Sequence, residues 1–444
     1  MKKILLKNAN IINEGKTYIS DLLVVGERIE KISPNQSLEN GVTIDLNGKW
    51  LMPGIIDDQV HFREPGLTHK GDIASESVAA IIGGVTTFME MPNTKPQAVT
   101  QIELEKKYTI ASKVSPANYS FYIGATNDNL DEILRTDTTK VCGLKIFMGS
   151  STGNMLVDDL KVLEDIFSQV PFLIATHCED EQTIKNNLQI ATEKFGDNIP
   201  IQQHPIIRSE AACLKSSSFA VDLAKKHGTR LHVLHLTTGV EPLLFDASTP
   251  LHLKKITSEV CVHHLYFNDK DYDTLGSLIK CNPAVKSQHD QKKLLEYLLE
   301  NYIDVIATDH APHTIEEKNQ NYLQSPSGLP LVQHGLSMML EFYHTNKITA
   351  ERIVEKMSHS PAICFKVKER GFIREGYYAD LIVVDPEKLY QVHTDNIFYK
   401  CKWSPLNGKD MKGKVISTMV NGRFAYLDEA LQPFVPGKRI EFYP

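Results

Sequence analysis

Eight short apolar, β-branched runs alternate with helix-like stretches through the middle of this chain. Six polar or ionisable residues, His61, Lys145, His177, His235, Asp309 and His313, sit within or just after such runs. A chain patterned this way is driven towards parallel strands joined by crossover helices, and right-handed crossovers close eight such units into an α/β fold, the (β/α)8 TIM-like barrel. The strand candidates are Gly54 to His61, Val85 to Met91, Ser120 to Ile123, Cys142 to Met148, Phe172 to His177, Leu231 to His235, Ile256 to Cys261 and Asp304 to Asp309. Helical stretches such as Asp72 to Ile82 (stopped by Gly83 and Gly84), Asp158 to Ile166, Ser209 to Lys226 and Leu329 to Tyr343 fill the gaps. Barrels of this kind carry their chemistry at the C-terminal ends of the strands, which is where the six residues fall.

The flanks have a different grain. From Lys3 to about Met52 the runs are short and β-like (Ile4 to Leu6, Leu22 to Val25, Ile29 to Ile32, Val42 to Leu46). Similar runs return at Asp380 to Val384 and Val415 to Val420, the last followed by the tight-hairpin signal Asn421-Gly422. The economical reading is a small β-sandwich domain assembled from both termini, residues 1–52 and 366–444, with the barrel at 53–365 inserted between them. A chain of 444 residues supports that division, because single cores stop growing at around 250 to 300 residues.

Composition removes several classes of function. A net charge of −7 without a dense Lys/Arg stripe gives no footprint for nucleic acid. The segment Met1 to Asn8 has only a three-residue apolar run between lysines, which does not read as a signal peptide. No apolar stretch approaches the roughly 20 residues that span a bilayer. Seven cysteines without a Cys-x-x-Cys pair read as reduced, buried thiols of a cytoplasmic protein.

A catalytic divalent ion needs imidazole nitrogens and carboxylates around an open coordination position. His61, His177, His235 and Asp309 each end a different strand candidate. A single histidine there is more often structural, and a single aspartate more often a cap. Four at the same end of four strands are not explained by independent caps. His232, His252, His263 and His264 keep the structural reading. Two ions a few Å apart also need an anion between them, since they otherwise repel. Lys145, taken alone, reads only as a snorkelling side chain.

Assembled, the segments Pro53-Gly54-Ile55-Ile56-Asp57 through His61-Phe62-Arg63-Glu64-Pro65-Gly66, Gly84-Val85-Thr86-Thr87 with Met91-Pro92-Asn93-Thr94, and Asp309-His310-Ala311-Pro312-His313-Thr314 resemble the dihydroorotases of the amidohydrolase superfamily. The tail from Ser404-Pro405 through Lys412-Gly413-Lys414-Val415 to Val420-Asn421-Gly422 resembles them too, so the likeness covers essentially the whole chain. It implies that Lys145 can be carbamylated by carbon dioxide, becoming the anionic bridge the electrostatics demand. It further implies that His177 and His235 hold one metal and that His61 and Asp309 hold the other. The implied ion is zinc, one or two per chain. One position departs from the pattern: the family reads His-x-His where this chain has Gln59-Val60-His61. Gln59 is a neutral, weaker donor, so it ligates weakly, the enzyme works with one metal, or activity is impaired.

The activity so implied is the reversible hydrolysis of (S)-dihydroorotate to N-carbamoyl-L-aspartate in pyrimidine biosynthesis. Metal-bound hydroxide opens the cyclic amide, with Asp309 as general acid and base. The substrate carboxylate is expected on Arg63, a planar bidentate fork, with Asn93 and His313 as directional donors and His61 facing the ring. Asn282 resembles the family's ring-contacting asparagine, although Ala284 and Lys286 stand where the family has proline and arginine. Ser327 and Gly328 occupy a loop that closes on the ring through backbone groups.

Three nearby activities compete with this reading, those of hydantoinase, dihydropyrimidinase and allantoinase. From another class comes a non-catalytic dihydroorotase-like scaffold, kept alive by Gln59. Zinc nucleobase deaminases lack support, since neither His-x-Glu followed by Pro-Cys-x-x-Cys nor any cysteine pair is present. The expected partner is a small molecule, with no nucleic acid or membrane, and a homodimer is the prior for such barrels.

Overall fold

Both ends of the chain enter one sheet. The computed structural model describes residues 2–149 and 155–444. β1 (Lys3–Asn13), β2 (Lys16–Val25), β3 (Arg28–Ser33), β4 (Val42–Asp45) and β5 (Trp50–Pro53) precede the barrel. The barrel strands are β6 (Ile55–Val60), β7 (Val85–Glu90), β8 (Asn118–Phe121), β9 (Ile123–Gly124), β10 (Leu144–Phe147), β11 (Ile174–His177), β12 (Leu231–Val233), β13 (Ile256–Cys261) and β14 (Val305–Ala307). β15 (Leu381–Gln391), β16 (Asp410–Val420), β17 (Arg423–Leu427) and β18 (Ala430–Leu431) follow it.

The terminal sheet runs β18-β17-β16-β15-β5-β1-β2-β3, with β4 beside β1. β5 is its seam, parallel to β1 and antiparallel to β15, so the sheet cannot be completed until the barrel between them has been traversed. Its apolar face, including Leu6, Ile11, Leu22, Val24, Leu51, Leu381 and Val383, forms a core separate from the large one under the barrel helices. Asn421 and Gly422 turn β16 into β17 with φ of 49° and 72°, the left-handed pair that a tight hairpin requires.

β14-β13-β12-β11-β10-β9 and β6-β7-β8 are the two arcs of the barrel, and the strand pairs within them are parallel. Two junctions close the ring. Val60 bridges His310, with the His61 amide donating to the His310 carbonyl at 2.6 Å. On the other side, β8 and β9 are one strand broken at Tyr122, whose amide reaches back to Glu90 of β7 while Ile123 donates to Gly143 beside β10. Gly54 links β5 to β6 where a Cβ would stand 2.1 Å from Thr86 Oγ1.

The helices start where side chains can cap them. Asp72, Asp159 and Ser209 accept from first-turn amides of Ile73–Ile82, Leu160–Gln169 and Glu210–His227, each cap contributing about 1 kcal/mol. The stretch Leu329 to Tyr343 differs from its sequence expectation, because its helix is Gly335–His344. The Leu331 and Val332 amides donate instead to His310 Nδ1, at 2.9 and 3.2 Å, and the Leu329 carbonyl accepts from Ala311. Apolar periodicity cannot register a buried imidazole that competes for those amides. No helix among the described residues is long and apolar enough to cross a membrane.

Candidate active site

The barrel's C-terminal mouth opens into a cleft of about 720 Å³. Gln59, His61, Arg63, Asn93, Lys145, His177, His235, Asn282, Asp309, His313, Ser327 and Gly328 all line it. Residues up to 269 positions apart thus share one wall because each lies at the same end of its strand or in the loop that follows (Gly328 minus Gln59). Three of them hold left-handed backbone without being glycine: Arg63 at φ 72°, His235 at 41° and Asp309 at 45°. Such positions cost about 1–3 kcal/mol each and persist where the surroundings over-determine them.

On one side, His177 Nε2 stands 2.9 Å from Glu179 Oε2, and Arg208 pairs with the same carboxylate. Burial acts to raise Glu179, but Arg208 and His177 outweigh it and hold the carboxyl at about 2. An ionised Glu179 only accepts, so His177 Nε2 carries the hydrogen and Nδ1 presents a lone pair. That lone pair faces His235 Nε2 at 2.9 Å. Burial pushes His235 well below the ordinary histidine value, so this imidazole is neutral.

On the other side, His61 Nδ1 donates to Asn93 Oδ1 at 2.8 Å, leaving Nε2 3.2 Å from Asp309 Oδ1. Asn93 therefore orients His61, a task its sequence position did not reveal. Gln59 Nε2 donates to the same Asp309 oxygen at 3.3 Å, while Gln59 Oε1 lies 3.6 Å from Cys261 Sγ. Beneath, Asp57 accepts from Thr308 Oγ1 at 2.5 Å and from the Thr308 and Gln59 amides, tying the end of β6 to the residue before Asp309. Lys145 is 1% exposed, and burial pulls its amine down to about 7 against the opposing pull of Asp309 and Glu259.

These donors fit a divalent cation. Two neutral imidazole nitrogens converge at a separation suited to a shared ion, a second pair couples imidazole to carboxylate, and Lys145 is close enough to His177, His235 and Asp309 to act on all three electrostatically. Of the histidines given a structural reading, His252 is exposed, and the other three fall in two other buried groups. His232 Nε2 lies 3.3 Å from Asp58 Oδ2 and 3.2 Å from Glu259 Oε2, and His263 and His264 sit with Cys261. Burial alone would lower His232, but the two carboxylates raise it to about 9, which makes that triad an ion cluster. Glu259 also accepts from the His235 amide at 3.2 Å, so the cluster supports the site from below.

Across the cleft, burial lowers Arg63 to about 10, which leaves it charged at neutral pH. Its Nε donates to the Pro312 carbonyl at 3.0 Å, and its Nη2 lies 3.0 Å from His313 Nε2. Asn282 Oδ1 is buried without a hydrogen-bond partner. The loop carrying Ser327 and Gly328 is pinned by two buried ammonium groups. Lys318 donates to the carbonyls of Lys280, Pro326 and Gly328, and Lys280 to those of Tyr322 and Ser325. Sequence reasoning missed Glu179, Arg208, Lys318 and Lys70, the last of which also lines the cleft. Glu179, two residues past His177, carried a usable signal, whereas the two lysines and Arg208 are indistinguishable in sequence from surface residues.

The amidohydrolase family model matches residues 50–425. A dihydroorotase of Carboxydothermus hydrogenoformans is 34% identical over 431 residues, covering 95% of this chain and 98% of that protein. A dihydroorotase of Pyrococcus horikoshii is 33% identical, covering 88% and 85%. Among solved structures, the L-hydantoinase (dihydropyrimidinase) of Arthrobacter aurescens superposes with a TM-score of 0.93 at 25% identity, each chain covered in full. With the cleft at the mouth of its barrel, the chain belongs to the amidohydrolase family, as a metal-dependent cyclic amidohydrolase.

Proposed function

We propose that this cyclic amidohydrolase is a dihydroorotase, interconverting (S)-dihydroorotate and N-carbamoyl-L-aspartate, with zinc as its ion and Lys145 carboxylated when loaded. The observation that carries the reading is Arg63. It is a buried guanidinium on the cleft wall that forms no ion pair within 4.0 Å among the described residues and donates Nε to a neutral carbonyl. Asp309, Glu90, Glu317 and Glu76 act on it only from beyond pairing distance. A buried cation without a directly paired anion is costly unless a ligand supplies one, and the ring carboxylate of dihydroorotate is such a ligand. Two dihydroorotases among the sequence relatives support the same reading.

When bound, the ion supplies Lewis-acid activation of water and of the ring carbonyl. His177 and His235 would hold it through Nδ1 and Nε2, with His61 Nε2, Asp309 and a carboxylated Lys145 completing the set and Gln59 contributing weakly. Arg63 and His313 bind the carboxylate and so fix which ring carbonyl faces the ligand pairs. Asp309 Oδ1 already accepts from Gln59 and faces His61, so the carboxylate is held where it can take a proton from the attacking water. It returns that proton to the ring nitrogen as the amide bond breaks. Asn282 Oδ1 offers an acceptor to a ring N–H, and the pinned Ser327–Gly328 backbone covers the ring and excludes water.

A second reading, hydrolysis of uncharged rings such as dihydrouracil or hydantoin, is favoured by the TM-score of 0.93 to an L-hydantoinase. The test is turnover by zinc- and bicarbonate-loaded protein. Dihydroorotate should be opened and the uncharged rings left intact, and Arg63→Ala should raise KM for dihydroorotate by about tenfold or more. Turnover of uncharged rings alone would establish the second reading.

A further inference from the structure

His313 is squeezed between two cations that bring only hydrogens. Lys70 Nζ lies 3.0 Å from His313 Nδ1, and Arg63 Nη2 lies 3.0 Å from Nε2. Neither ammonium nor guanidinium can accept, and a neutral imidazole has one donor and one acceptor, so both contacts cannot be hydrogen bonds at once. The imidazole is neutral, because burial, reinforced by Arg63, pushes it well below the ordinary histidine value.

Two neighbours decide between the tautomers. Ser327 O lies 3.0 Å from Nε2 and can only accept. Glu317 Oε2 is 3.6 Å from Nδ1, beyond hydrogen-bond range, while Glu317 Oε1 anchors Lys70 at 2.9 Å. With hydrogen on Nε2, two contacts are satisfied (Lys70 to Nδ1, Nε2 to Ser327 O) and one sets donor against donor (Arg63 Nη2). With hydrogen on Nδ1, only Arg63 to Nε2 is satisfied, and two contacts oppose like with like. The first arrangement wins, and Lys70 is what tips it.

The donor–donor contact then has a use. Arg63 Nη2–H and His313 Nε2–H converge with 3.0 Å between their nitrogens. One carboxylate oxygen about 2.8 Å from each, displacing Ser327 O as the acceptor of the Nε2 hydrogen, completes a triangle of two charge-assisted hydrogen bonds, stronger than the neutral one given up. Resting on the dihydroorotase reading, we infer that Lys70 is a positioning residue that determines specificity: it fixes His313 in the Nε2–H form and so keeps two donors converging on one oxygen of the substrate carboxylate. Without Lys70 each tautomer satisfies one contact, and the charge-assisted bond from Arg63 to Nε2 outweighs the neutral one from Nε2 to Ser327 O. The hydrogen then moves to Nδ1, and the arginine donor is consumed within the protein.

Lys70→Met and Lys70→Arg, each in full-length zinc- and bicarbonate-loaded protein, test this with two readouts. In protein labelled with 15N-histidine, the His313 resonances, identified by their loss in His313→Gln, should show a protonated Nε2 in the wild type and in Lys70→Arg. They should show a protonated Nδ1 in Lys70→Met. An unchanged tautomer in Lys70→Met overturns the inference. In turnover, Lys70→Met should raise KM for dihydroorotate by about tenfold with kcat within about twofold, and Lys70→Arg should restore it. Loss of kcat at unchanged KM also overturns it. A wild type that leaves dihydroorotate intact removes the substrate assignment, and the tautomer readout then decides the role of Lys70 independently.

Discussion

His177 and His235 turn their rings nitrogen to nitrogen, Nδ1 to Nε2 at 2.9 Å, and the hydrogen on the far side of His177 is committed to Glu179. The ligand atom of His177 is thereby chosen by a carboxylate that never faces the cleft. Glu179→Gln retains an acceptor but loses the charge that balances Arg208 and polarises the imidazole. Zinc affinity, read by chelator competition, should fall by about 10- to 100-fold. An unchanged affinity would mean that Glu179 does not set the orientation of His177.

Gln59 spends its amide hydrogen on Asp309 at 3.3 Å and keeps its oxygen near Cys261. A histidine there would add an imidazole donor on the side of His61 and Asp309. Gln59→His should therefore raise the zinc retained per chain after dialysis towards a second equivalent, measured by elemental analysis. Equal metal content in both proteins would show that Gln59 does not limit that side.

Lys145 must be an uncharged amine to attack carbon dioxide, and burial brings its value down from the ordinary lysine range to about 7. The sign follows directly: the amine is protonated and inert below that value and free above it. At fixed dissolved carbon dioxide, recovery of activity in stripped protein should be about tenfold faster near pH 8 than near pH 6. Lys145→Arg should not recover at either. A recovery rate independent of pH would argue against carboxylation of this residue.

Asp380 joins the two parts of the molecule. It pairs with Arg370, accepts from Asn118 Nδ2 of β8 at 3.1 Å and receives the Asn421 amide at 2.7 Å. Both charged partners are buried, so Asp380→Ala leaves an uncompensated cation. It should lower stability by about 3–5 kcal/mol in denaturant unfolding while leaving zinc affinity near the wild-type value.

The sequence by itself determined the alternation of strands and helices, hence the barrel, and the side of the barrel on which His61, Lys145, His177, His235 and Asp309 lie. A strand fixes direction over a few residues, and the C-terminal end of each is written in its own apolar run. Only the tertiary structure decided the pairing across strands. Asn93 binds His61 instead of standing free, Glu179 selects the nitrogen of His177, Lys70 brackets His313, and His310 takes the amides that delay the helix at Gly335. Each of these contacts is a hydrogen bond between segments from 2 to 243 residues apart, counted along the chain. Their directions depend on where the closed barrel places donor and acceptor, and the local residue pattern does not record that.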